Sequence, residues 1–219
     1  QVKTDPKRAK PLKGARSGSS AVLLSDGKPV KKVQGEVQFT DKGLSGICIF
    51  ELSRLVNELQ SIHKLEISLD LLPEYSSKQV LSILEHSRKT IKNLPANEIL
   101  SGCINKLVGR EVVHYALKKV PKFAYQLSTG EIREIAERVK DFRFDINGTL
   151  GFKDAQITAG GIPLNEVDNN MQSKICKGLY LTGELLNIDG DCGGFNLHWA
   201  WSTGIEAGCS AADSILKLK

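Results

Sequence analysis

Residues 20–40 read SAVLLSDGKPVKKVQGEVQFT, and how they fold decides the architecture around them. SAVLLS and KPVKKV flank Asp26-Gly27, a pair suited to the positive φ angles of a two-residue turn, so a hairpin is expected over 20–34. GEVQFT then sets Val37 and Phe39 on one face, as a further half-buried strand does. The glycines of GLSG (43–46) precede a short apolar helix. KLEISLDLLP (64–73) returns to alternation, with Leu65, Ile67 and Leu69 on one side.

Between Ser76 and Lys140 the apolar period lengthens to that of a helix. Val80, Leu81 and Leu84 form one stripe, and Ile99, Leu100, Cys103, Ile104 and Leu107 another. Ser128 and Glu131 fit a capping box ahead of Ile132, Ile135, Ala136 and Val139. Alternation resumes at Phe142, Phe144 and Ile146, turns at Asn147-Gly148, and is expected to run on through Leu150 and Phe152. β segments thus bracket a helical one. The fold class that follows is a multidomain α+β protein, an antiparallel β-barrel with a helical subdomain inserted between two strands. Such an insertion is tolerable because loop-closure entropy grows slowly with length. The expected domains are a barrel over 1–72 and 141–170, a helical subdomain over 73–140, and a third part over 171–219.

That third part has its own logic. KGLYLTGE (177–184) reads as a buried strand, a glycine-rich loop follows, and FNLHWAWSTGIEAGCSAADSIL (195–216) reads as a helix. Its small residues Gly204, Ala207, Gly208, Ala211 and Ala212 would let it lie close against a sheet. A strand, a glycine loop and a helix are half of a nucleotide-binding unit. Asn196 is the expected N-cap, with Leu197, His198 and Trp199 as the first turn. Backbone N–H groups there lack helical partners and could hold an anion or an electron-rich oxygen. Gly193 and Gly194 would let backbone approach a ligand without a Cβ between them. On spacing alone, the same residues also read as a tight turn capped by Asn196.

Charge and cysteines set limits. The net charge is +5, and residues 1–16 carry all of it, with six bases (Lys3, Lys7, Arg8, Lys10, Lys13, Arg16) against Asp5. Aromatic residues are not interleaved with these bases, so the arm reads as a solvated end and nucleic acid is disfavoured as a partner. Five cysteines at irregular spacing fit neither a disulfide framework nor a zinc site, so no metal is expected and the compartment reads as reducing and cytoplasmic. No apolar run reaches the roughly 18 residues of a membrane span, so no membrane partner is expected.

Four stretches together resemble a known family: GEVQFTDKGLSG (35–46), DLLPE (70–74), DAQITAGGIPLNEVD (154–168) and GLYLTGELLNIDGDCGGFNLHWAWSTGIEAG (178–208). The chain is similar to the bacterial FAD-dependent oxidoreductases called aminoacetone-oxidase-like or BaiN-like flavoproteins. The resemblance implies an FAD cofactor, a small-molecule substrate, and oxygen or NAD(P)H as second substrate. It makes the third part the carboxyl-terminal strand, loop and helix of a Rossmann-like FAD-binding domain. It sets Gly183 and Glu184 beside the ribityl and pyrophosphate region, and Asn196, Leu197 and His198 at the pyrimidine side of the flavin ring. No G-x-G-x-x-G follows any strand here, so the amino-terminal FAD-binding half is expected to be missing, and this chain alone inactive. No catalytic residue is assigned. The competing expectation is a non-catalytic module whose barrel and basic arm dock RNA or protein.

Overall fold

The computed structural model describes residues 1–216, and the chain forms two compact units, Gln1–Leu150 and Gly151 onward. The first unit runs β1 (Val2–Lys3), α1 (Pro6–Ala9), β2 (Arg16–Ser25), β3 (Lys28–Phe39), β4 (Gly43–Ser45), α2 (Ile47–Leu59) and β5 (Leu65–Asp70). Three helices follow, α3 (Ser77–Thr90), α4 (Lys106–Ala116) and α5 (Thr129–Lys140), before β6 (Phe142–Ile146) returns to the sheet. The second unit holds one long helix, α6 (Phe195–Leu216).

The six strands order as β1-β4-β3-β2-β5-β6, antiparallel throughout. Beyond β6 the chain meets β1 again: Lys3 N–H donates to the Gly148 carbonyl at 2.7 Å, and Asn147 N–H to the Lys3 carbonyl at 2.8 Å. The sheet is thereby a nearly closed barrel, which leaves little unpaired edge. Period-two burial fills it: Leu65, Ile67 and Leu69 on β5 and Phe142, Phe144 and Ile146 on β6 point inward. Phe144 sits 4.9 Å from Phe142 and 5.9 Å from Phe39, ring centre to ring centre. On α2, Cys48, Ile49, Leu52 and Val56 are fully buried, and the helix packs on β3 and β2. Burial pushes the Cys48 thiol up to about 11, so it stays protonated.

The hairpin turn lies at Asp26-Gly27, with φ of 49° and 77° as expected, but its strands are longer than their apolar runs. GEVQFT is the end of β3 rather than a separate strand. The alternation expected through Leu150 and Phe152 does not form a strand. Thr149 instead bridges Val2, because the returning chain completes the hydrogen bonds of β1.

The basic arm is likewise not a solvated end. Val2, Ala9, Leu12 and Ala15 are buried while the charged side chains between them remain outside. Arg8 has a packing role of its own, its guanidinium 3.6 Å from the Tyr115 ring centre, with Nη2 donating to the Arg143 carbonyl at 2.9 Å. Cation–π contact and a charged hydrogen bond together make Arg8→Ala cost about 1–2 kcal/mol. A urea midpoint unchanged by Arg8→Ala would refute that role.

The insert is fixed at its base. β5 pairs with β6, so its two ends are adjacent, as the inserted topology requires. Lys140 Nζ reaches Asp70 Oδ2 at 2.6 Å and donates to the Leu72 and Tyr75 carbonyls at 2.9 and 2.6 Å, joining the last turn of α5 to the segment that enters α3. The capping box forms: Ser128 Oγ accepts from Glu131 N–H, and Glu131 Oε2 accepts from Ser128 N–H. Buried residues of barrel and insert make one contiguous cluster, so the insert is packed on the barrel rather than tethered to it.

Asp141, at the same base, accepts from Ser68 Oγ at 2.6 Å and from Arg143 Nε at 2.8 Å. Burial is the largest single influence on its carboxyl and pushes the pKa up, but the Arg143 and Ser68 hydrogen bonds outweigh it and hold the carboxyl below its ordinary value. A depressed folded pKa contributes stability above the unfolded value of about 3.9, lost as pH falls through the folded value. The stability gap between wild type and Asp141→Asn should therefore close as pH is lowered from 6 through about 4. A gap constant across that range, in urea titrations, would contradict the assignment.

Candidate cofactor site

The second unit has a small core of Val167, Leu181 and Leu186, with Ile162, Met171 and Trp199 packed on it. KGLYLTGE does not become a strand here. It makes one antiparallel bridge, Gln172 to Tyr180, and then a 3₁₀ turn over Gly183–Leu185. A parallel strand depends on neighbours for its hydrogen bonds, and among the described residues of this unit none is a strand.

Gly183 is locked to the helix from two sides. Its N–H donates to Thr203 Oγ1 at 2.9 Å, and its carbonyl accepts from Trp199 Nε1 at 3.2 Å. Thr203, only 3% exposed, passes its own hydroxyl proton to the Trp199 carbonyl at 2.8 Å. The Trp199 and Thr203 spacing of four places both on one face of α6. Glu184 Oε1 accepts from Thr158 N–H at 2.7 Å, which ties segment 154–158 to the same turn.

Asn196 is not the N-cap. The helix begins one residue earlier, and His198 N–H closes its first turn on the Gly194 carbonyl at 2.9 Å. Asn196 instead clamps the preceding loop, accepting from Gly190 N–H at 2.8 Å and donating to the Gly190 carbonyl at 3.1 Å. The donors ahead of the first helical bond are therefore the N–H groups of Phe195, Asn196 and Leu197. His198 N–H, expected to be available, is already used. Gly193 and Gly194 adopt φ of 135° and 90°, and a Cβ on Gly194 would meet nothing within 4 Å, so the helix start opens on space.

Of the expected site residues, Gly193, Gly194, Asn196, Leu197 and His198 lie together at this start. Gly183 and Glu184 lie along the next turn, through Trp199 and Thr203. Trp199, Thr203 and Gly190 were not anticipated; the Trp-x-x-x-Thr spacing was the available signal. Along α6, Leu197, Trp201 and Ile205 stay exposed, and Gly204 and Gly208 have no neighbour within 4 Å of a built Cβ.

The clamp yields a prediction. Asn196→Ala removes two hydrogen bonds, about 1–2 kcal/mol together. The Gly190 amide should exchange roughly tenfold faster while helix content holds, because no cap is lost. Loss of helix signal with Gly190 exchange unchanged would restore the capping assignment.

No group of three or more potential metal-ligating side chains occurs among the described residues, and no helix among them is long and apolar enough to cross a membrane. The sequence model of the HI0933-like protein barrel and H2TH domain matches residues 1–157. The chain belongs to that family. It is 32% identical over 202 residues to the 3-dehydro-bile acid delta(4,6)-reductase of Clostridium scindens, covering 91% of this chain and 49% of that protein. It is 28% identical over 169 residues to the ribosomal RNA dihydrouridine synthase of Escherichia coli, covering 75% of this chain and 39% of that protein. Its counterpart in Haemophilus influenzae is 24% identical over 193 residues, covering 86% and 45%. The chain thus spans about half, or less, of the length of these curated relatives.

Proposed function

We propose that the chain works as part of an FAD-dependent oxidoreductase that adds two hydrogens across a carbon–carbon double bond. The observation that carries this reading is the start of α6. Three N–H donors precede its first helical bond, beside a glycine whose Cβ direction is open. That donor set fits an electron-rich carbonyl oxygen, and the positive end of the helix favours negative charge there. When bound, FAD supplies the hydride chemistry. Phe195, Asn196 and Leu197 would meet its ring through backbone N–H groups, while Gly193 and Gly194 keep Cβ atoms out of the way. Gly183, Glu184 and the His198 side chain are the further residues assigned to it.

Two further lines support the reading. The names of the relatives describe hydrogenation of a double bond, by a delta(4,6)-reductase and by dihydrouridine synthases. The exposed row of Leu197, Trp201 and Ile205 suits a helix that packs on the remainder of a flavin-binding domain. In balance, one hydride comes from NAD(P)H and one proton from solvent, and NAD(P)+ leaves. The natural gene product should purify yellow and oxidise NAD(P)H when offered an unsaturated substrate. A colourless product without flavin on extraction would overturn the proposal.

A further inference from the structure

One edge of the helical insert has a composition found nowhere else in the chain. Segments 87–97 and 117–127 carry six bases (Arg88, Lys89, Lys92, Lys118, Lys119, Lys122) and no acid. The fold pairs them. Pro95 bridges Phe123, Ala124 N–H donates to the Leu94 carbonyl at 2.8 Å, and Arg88 Nη1 donates to the Leu127 carbonyl at 2.8 Å. No ion pair among the described residues uses Lys89, Lys92, Lys118, Lys119 or Lys122.

Aromatic rings are interleaved with these bases. Phe123 and Tyr125 stack with centroids 5.7 Å apart and planes 14° from parallel, and Lys122 Nζ lies 5.2 Å from the Phe123 ring centre. Tyr125 nevertheless stays 57% exposed. The turn beneath is held in place by buried Ala124 and by Gln126 Oε1, which accepts from Phe123 N–H at 3.0 Å. A core pair would hide its rings, and a merely solvated charge run would not surround an ordered aromatic stack. Flat exposed rings among unpaired lysines are the equipment with which proteins hold unpaired bases and their phosphates.

We propose that this edge of the insert, residues 87–97 and 117–127, is a docking platform for single-stranded RNA, with Tyr125 stacking on an unpaired base and Lys119 and Lys122 on adjoining phosphates. The platform lies on the insert, away from the basic arm considered from sequence. It stands independently of the flavin reading, because its test measures binding alone.

Fluorescence anisotropy of the purified chain with a short labelled single-stranded RNA is the test, repeated over a range of salt. Lys119→Glu/Lys122→Glu should weaken binding at least about tenfold and flatten the log–log salt slope by about one. Tyr125→Ala should weaken it about fivefold or more with the slope unchanged, and Tyr125→Phe should restore it. Lys28→Glu/Lys32→Glu, an equal change of charge on the β2–β3 hairpin, should stay within about twofold of wild type. Should Tyr125→Ala misfold, Tyr125→Leu keeps apolar bulk without a flat ring and should show the same loss. The platform is refuted if the hairpin variant loses as much as the platform variant, or if a folded Tyr125 variant binds normally. It is equally refuted if duplex RNA is preferred, or if vesicles of phosphatidylglycerol are bound while RNA is not.

Discussion

Gly46→Ala should destabilise the barrel by about 4 kcal/mol, a large part of the stability of an ordinary domain. Gly46 ends GLSG and precedes α2 with φ 101° and ψ 167°, a conformation that residues with a Cβ rarely adopt. A built Cβ would lie 2.3 Å from the Glu36 carbonyl oxygen, which belongs to β3 and cannot swing aside as a long side chain could. The strand or the helix must move, and Ile49 and Leu52 of α2 would lose their fit. Gly130→Ala is the natural control. Its Cβ would meet only Ser128 Oγ at 3.9 Å within α5, so the change should stabilise by about 0.4–1 kcal/mol. Urea midpoints should therefore move in opposite directions. Equal midpoints for Gly46→Ala and wild type would mean that the β3–α2 approach is looser than its geometry.

Thr203→Val should destabilise the second unit by about 2–3 kcal/mol. Valine keeps the shape of threonine and loses the hydroxyl that accepts from Gly183 N–H and donates to the Trp199 carbonyl. Trp199's carbonyl has its helical partner, whereas Gly183 N–H would be left buried without an acceptor, and that asymmetry sets the cost. Gly183 and Glu184 would then lose their position along α6. Thr203→Ser, which retains the hydroxyl, should restore most of the loss. Thermal melts of the two variants distinguish the cases, and a valine variant as stable as the serine one would show that packing alone holds the turn.

Local pattern was readable where neighbouring residues decide the outcome. Asp26-Gly27 makes its turn because those two residues tolerate positive φ, and Ser128 caps α5 because Glu131 stands three residues on. The inserted topology was also legible, since a change of period from two to 3.6 and back marks where strands stop and resume. The site was legible only in part. Gly193 and Gly194 were found as glycines, but the role of Asn196 depends on Gly190, six residues back, whose position the spacing of the loop does not reveal.

By itself, then, the sequence determined the barrel strands, the helical insert, and the clustering of glycines at the start of α6, because each rests on contacts close along the chain. Tertiary structure alone decided three other things. It drew the basic arm into the barrel through Val2 and Leu12, because the ends of β6 and β4 needed hydrogen-bonding partners. It withheld a strand from Tyr180 and Leu181, because a lone segment has nothing to pair with. And it joined two basic segments, 87–97 and 117–127, around one aromatic stack, since only a backbone pairing between distant residues could turn scattered lysines into a surface.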